Sequence, residues 1–130
     1  MDEKIVKVLT DHAWNVATYS DQPNVVPVGF KSVMPDGKLV VGDIMMRTTV
    51  ENVKANGKIA VSAFDEKTSE GYQIKGSAVY FSEGPVLEKF RAIANEKFHG
   101  AIVVKGVIVI SPEKVIVTSP GPDNKKELTL

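Results

Sequence analysis

Short runs of β-forming residues follow one another along most of this chain, and the segments between them have the length and chemistry of turns. Trp14 to Ser20 is closed by Ser20-Asp21-Gln22-Pro23-Asn24, a cluster that favours a turn. Val25 to Val33 follows as a second run, Met34-Pro35-Asp36-Gly37 has the chemistry of a tight turn, and Lys38 to Gly42 returns as a third. These three runs predict a three-strand meander. Lys58 to Phe64 and Gly71 to Phe81 read as strands four and five around the polar loop Asp65 to Glu70, and Ala101 to Ile110 and Lys114 to Thr118 as the last two. Connections this short join antiparallel neighbours. The expectation is a mainly β chain, a six- to seven-stranded antiparallel barrel decorated by helices.

The helical segments are few. Ile5, Val6 and Leu9 recur at helical spacing, so residues 2 to 11 read as an amphipathic helix within an N-terminal segment 1–12. Thr48-Thr49-Val50-Glu51 fits a capping box with Thr48 as the cap, and Asn56-Gly57 ends that short helix with a left-handed stop. Gly84-Pro85 opens the longest helix, whose expected buried stripe is Val86, Leu87, Phe90, Ile93, Ala94 and Phe98. The tail 119–130 contains Pro120, Gly121 and Pro122 and shows no periodicity. No repeat or composition break divides residues 1–130, which read as one domain.

Composition removes several function classes. There is no cysteine, which excludes disulfide scaffolds, thiolate metal sites and cysteine nucleophiles. The two histidines, His12 and His99, stand in no metal-ligand spacing, so neither a metal site nor a catalytic side chain is expected. Sixteen basic and sixteen acidic residues cancel, and the aromatics form no clustered stacking set, so no nucleic-acid partner is expected. Met1 to Lys4 carries mixed charge with no long apolar stretch behind it, and the longest apolar run, Gly106 to Ile110, is far short of a membrane span. A cytoplasmic protein without membrane contact is the expectation.

Three segments carry donors in patterns that suit a ligand. At the start of the short helix, Arg47 stands beside the hydroxyls of Thr48 and Thr49, with Asn52 one turn on; helix N–H groups and an arginine fork together attract a phosphate. The same residues also make an ordinary cap. In Val25 to Val33, alternation puts Val26, Val28 and Phe30 on one face and Pro27, Gly29 and Lys31 on the other. A Pro/Gly face leaves backbone bare for a flat ring, and is equally the mark of an edge strand protected from aggregation. In Gly71 to Ser77, Gln73, Lys75 and Ser77 form a polar row that suits a ligand's ring edge or a solvated outer face.

The order of these segments is similar to that of a known family. Val26-Pro27-Val28-Gly29-Phe30-Lys31, then Leu39-Val40-Val41-Gly42-Asp43, then Arg47-Thr48-Thr49 with Asn52-Val53, then Lys58 to Ser62, then Gln73 to Ala78 resembles the pyridoxamine 5′-phosphate oxidase-like family of FMN-binding split β-barrel flavoproteins. The resemblance runs from Trp14 to Val117. It implies an antiparallel split barrel of the FMN-binding type, and a homodimer with FMN at the subunit interface. By position it gives the phosphate to Arg47, Thr48 and Thr49 with Lys31 reaching in. Gly42 and Asp43 would border the flavin, Asp43 at its N3–H, and the backbone of Pro27, Val28 and Gly29 would meet the ring or ribityl chain. Gln73 and Lys75 would come from the other subunit. Many members carry a basic residue where this chain has Thr48 or Thr49, which leaves the positive charge to Arg47 and Lys31. The oxidase's own C-terminal substrate residues are not recognisable in Ser119 to Leu130, so the vitamin B6 reaction is not implied.

The expected function is therefore FMN binding in a small oxidoreductase or electron-transfer protein, with an unnamed redox partner or small-molecule substrate. Relatives of the family hold F420 or haem in the same barrel, and a non-enzymatic β-barrel interaction module is the reading from a different class.

Overall fold

A computed structural model describes residues 1–130. Three helices and eight strands follow in the order α1 (Glu3–Asp11), β1 (Trp14–Tyr19), β2 (Pro23–Val28), β3 (Lys31–Val33), β4 (Leu39–Asp43), α2 (Thr48–Asn56), β5 (Lys58–Phe64), β6 (Gly71–Phe81), α3 (Pro85–Phe98), β7 (Gly106–Val117) and β8 (Glu127–Leu128). The strands form one antiparallel sheet in the order β2-β1-β5-β6-β7-β4-β3, with β8 added on β7.

That order makes the sheet curl. β2 and β3 lie at opposite edges, yet only Gly29 and Phe30 separate them in the chain. Two residues span only about 7 Å. The edges must therefore meet, and the sheet closes into a split barrel. The expected single strand Val25–Val33 and its three-strand meander are corrected here: β2 pairs with β1, β3 pairs with β4, and β2 and β3 do not pair. The break has a packing cause. Val28 joins the interior, whereas Phe30 swings to the outside and packs edge-on against Phe90 and Phe98, with ring centroids 5.2 and 6.0 Å away. Gly42 lets it do so. A Cβ at that position would collide with the Phe30 ring, and the Gly42 N–H donates to the Phe30 carbonyl at 3.0 Å.

Two apolar clusters result. The larger fills the curl with Trp14, Val16, Leu39, Val41, Ile74, Ile108 and Ile110, and takes Ile5, Val8 and Leu9 from α1 and Val50 and Val53 from α2. The smaller lies outside, where Leu87, Phe90 and Ala94 of α3 cover Val40 and Val107. Strand β4 is thus buried on both faces, as its unbroken apolar run requires. No helix is long and apolar enough to cross a membrane.

Four further expectations change. Ala101–Ile110 and Lys114–Thr118 are not separate strands: β7 runs unbroken from Gly106 to Val117, with Pro112 absorbed at a register shift opposite Gly76. Residues 101–105 instead form the approach to β7, and Val104 packs under α3. In α3, Ile93 is 41% exposed, because a helix lying on an outer sheet face buries only the narrow stripe 87, 90, 94. The tail is not wholly irregular, since β8 pairs with Val115 and Ile116 of β7. Finally, Arg47 rather than Thr48 is the cap of α2, no side chain caps the first-turn N–H groups, and Glu51 makes only the backbone bond from its N–H to the Arg47 carbonyl. The capping box does not form. Gly57, at φ 66, supplies the expected left-handed stop.

Candidate functional site

The start of α2 is held by polar groups that the barrel buries. Thr18 on β1, and Thr49 and Asn52 on α2, are 5%, 1% and 3% exposed. The Asn24 amide on β2 donates to Thr49 Oγ1 at 3.1 Å and to Thr18 Oγ1 at 3.4 Å, and the Asn52 amide donates to Thr18 Oγ1 at 3.1 Å. These bonds tie β1, β2 and the first turn of α2 into one unit. Hydrogen-bonded polar groups are tolerated in such a position, whereas unpaired ones would destabilise it.

The loop before α2 hangs from Asp43, itself 3% exposed. Its Oδ1 accepts the Met46 N–H at 2.9 Å, its Oδ2 accepts the Tyr80 hydroxyl at 2.7 Å, and its carbonyl accepts the Lys105 N–H at 2.9 Å. Burial, with the Asp43 carboxylate beside it, pushes the Tyr80 phenol up to about 12, so it remains a donor at neutral pH. Both Asp43 oxygens are engaged inside the protein.

Between this loop and β2 lies a cavity of about 380 Å³, within the range of small-molecule sites. Pro27, Val28 and Gly29 form one wall, Gly42 the back, and Arg47, Thr48 and Thr49 the far end. Nothing lies within 4 Å of where a Gly29 Cβ would stand, so the backbone there is bare toward the opening. Arg47 is exposed and enters no ion pair. Its position is electrostatically unfavourable, because a cation at the positive end of a helix is repelled by the macrodipole. An anion bound there reverses the sign. It would meet the arginine fork, the uncapped N–H groups of the first turn and the threonine hydroxyls together. The arrangement sets an unpaired arginine, uncapped helix N–H groups and two threonine hydroxyls beside a wall of exposed backbone.

Seven residues singled out from sequence line this cavity: Pro27, Val28, Gly29, Gly42, Arg47, Thr48 and Thr49. Five do not. Lys31 turns to the end of α1, where its ammonium donates to the Leu9 and Thr10 carbonyls at 2.8 and 3.2 Å and lies 5.3 Å from the Trp14 ring. Burial pulls its pKa down, and its role is to close the C-terminal end of α1. Asp43 and Asn52 sit behind the cavity as supports, as described. Gln73 and Lys75 lie on the outer face of β6, where Lys75 lines a separate shallow concavity with Ala17, Ala60 and Tyr19. Sequence reading missed Asn24, Ile44, Met45 and Met46, which also line the cavity. Asn24 was detectable, since strict alternation puts it on the same face as Val26 and Val28. The two methionines lie in a linker without periodicity, and Met45 is 89% exposed at the rim.

Solved structures share this architecture. The Group A Streptococcus protein HupZ superposes with a TM-score of 0.83 at 24% identity, covering 95% of this chain and 98% of that one. An FMN-binding protein from Syntrophomonas wolfei gives a TM-score of 0.77 at 13% identity over 94% of this chain and 91% of that one. An F420 reductase gives 0.67 at 17% identity over 88% and 98%. No curated protein sequence matches. The sequence profile of the pyridoxamine 5′-phosphate oxidase family does match, over residues 1–120. With nearly the whole chain inside that match and the split barrel as its fold, the protein belongs to the pyridoxamine 5′-phosphate oxidase family.

Proposed function

We propose that this protein binds FMN and serves as a small oxidoreductase or electron carrier, acting as a homodimer with the flavin at the subunit interface. The observation that carries the reading is Arg47, an unpaired cation at the uncapped N-terminus of α2, facing a cavity walled by bare backbone. Family membership and the likeness to an FMN-binding protein support it. The residues present fit the cofactor. Arg47, Thr48 and Thr49 would hold the phosphate, Pro27 to Gly29 would lie along the ring and ribityl chain, and Gly42, packed against the Phe30 ring, would border the flavin. When bound, FMN supplies hydride or electron transfer, and the side chains bind and orient.

The outer face of the sheet supports the dimer. Tyr19, Val25, Phe64, Val79 and Phe81 are all exposed there, on β1, β2, β5 and β6, and the strand register puts Ala17 and Ala60 between them. Helix α3 covers only the β4–β7 side. An uncovered face that mixes these apolar side chains with Ser62, Gln73, Lys75 and Ser77 suits a partner, and Gln73 and Lys75 would there reach a neighbouring copy's flavin.

The visible absorbance of the purified protein tests the reading. Two flavin bands, bleached by a reduced nicotinamide cofactor, are expected. A colourless protein that takes up no added FMN refutes it, and a Soret band or an F420 spectrum reassigns the cofactor.

A further inference from the structure

We propose that Tyr80 is a positioning residue for phosphate recognition, which acts through Asp43 to fix the Ile44–Arg47 loop against α2; the proposal rests on the FMN reading above. Asp43 is a bridge with two ends. One oxygen takes the Met46 N–H, in the residue directly before Arg47, and the other takes the Tyr80 hydroxyl on β6. Asp43 makes no ion pair, so the phenol is the side-chain donor that balances its second oxygen.

Tyr80 is itself fixed from several sides. Its backbone is paired opposite Ile108, and its ring rests on Gly106, where any Cβ would fall inside the phenol. The Lys54 ammonium lies 4.9 Å from the ring centroid. Lys54 belongs to α2, so one side chain touches both parts of the proposed phosphate site: the loop through Asp43 and the helix through Lys54. Arg47 stands at their junction, with φ −134 and ψ −76 as the helix cap. If the bridge is cut, the loop loses its anchor and the arginine fork loses its registry with the first-turn N–H groups. The wall at Pro27 to Gly29 is the end of β2 and the residue after it and has no hydrogen bond to Asp43 or Tyr80, so the ring subsite is untouched. The consequence is selective: contacts to the phosphate weaken while contacts to the flavin ring do not.

The experiment compares the binding of FMN and of riboflavin, which lacks the phosphate, to the wild-type protein and to Tyr80→Phe by fluorescence quenching. Tyr80→Phe should weaken FMN about tenfold, the equivalent of one well-placed hydrogen bond, and change riboflavin less than about twofold. Asp43→Asn keeps an acceptor for Met46 and an amide for the phenol oxygen, and should retain most of the FMN affinity. Asp43→Ala cuts the loop end of the bridge and should reproduce the FMN-selective loss, which gives an independent reading should Tyr80→Phe not fold. Equal weakening of both ligands, or no weakening of either, overturns the proposal while the FMN reading stands. A wild-type protein that binds neither ligand refutes both.

Discussion

Replacing Arg47 by Ala should move stability and binding in opposite directions. In the free protein Arg47 makes no ion pair or hydrogen bond with another side chain, and it sits at the positive end of α2. A charge in that position is worth about 0.3–1 kcal/mol, and exposure to solvent keeps it near the lower end. Since Arg47 donates no side-chain cap, Ala forfeits nothing there. The free Arg47→Ala protein should therefore melt about 1–3 °C higher than wild type, taking roughly 3–6 °C per kcal/mol for a domain of this size. Binding runs the other way. A charge-assisted hydrogen bond contributes about 1.5–3 kcal/mol, so the Kd for FMN should rise about 10- to 150-fold. Arg47→Lys keeps the charge but not the planar fork and should fall between. Thermal unfolding without ligand and an FMN titration give the two numbers. Unchanged FMN affinity removes Arg47 from the site. Free-protein stability lowered by more than about 1 kcal/mol shows instead that the arginine is structural.

Gly42→Ala should destabilise the barrel by about 1–3 kcal/mol through overpacking against Phe30, and the double variant with Phe30→Leu should recover part of that in a denaturant titration; strict additivity would separate the two sites. Val79→Glu, at a position 56% exposed on the uncovered outer face, should turn a dimer into a monomer in sedimentation while leaving the monomer folded. An unchanged oligomer moves the interface elsewhere. Tyr72 and Tyr80 are both pushed up to about 12 from an ordinary 10.0, by burial and by the carboxylates of Glu70 and Asp43 respectively. A pKa raised in the folded state gives stability that is complete below pH 10 and lost as pH rises toward 12. Phenolate absorbance from these two should appear only above pH 10, together with loss of the fold. Half-ionisation of all three tyrosines near pH 10 contradicts the buried contacts.

Much of the site is legible in local order. Arg47-Thr48-Thr49 between a buried strand and a helix closed by Asn56-Gly57, and a Pro/Gly pair at residues 27 and 29, are local signals, and the structure gathers them around one cavity. Lys31 is different. Alternation gives it the same face as Pro27 and Gly29 only while the strand is continuous, and the turn of Phe30 toward α3 breaks that continuity and sends Lys31 to the end of α1. Asp43 and Asn52 have the composition of ligand contacts, but their partners, Tyr80 and Thr18, are 37 and 34 residues away in sequence. No spacing rule reaches that far.

The amino-acid sequence by itself determined the antiparallel class, the three helices, the absence of thiol chemistry and the placing of Arg47 and two threonine hydroxyls at the start of α2. Each of these depends on neighbours within a few residues, where turn chemistry, periodicity and residue type act directly. Tertiary structure alone decided that β2 and β3 belong to opposite edges, that β7 is one strand, and that Arg47 is left unpaired while Lys31 and Asp43 are engaged internally. Those outcomes depend on which side chains a closed sheet brings together across the chain, and closure is a property of the whole barrel rather than of any segment.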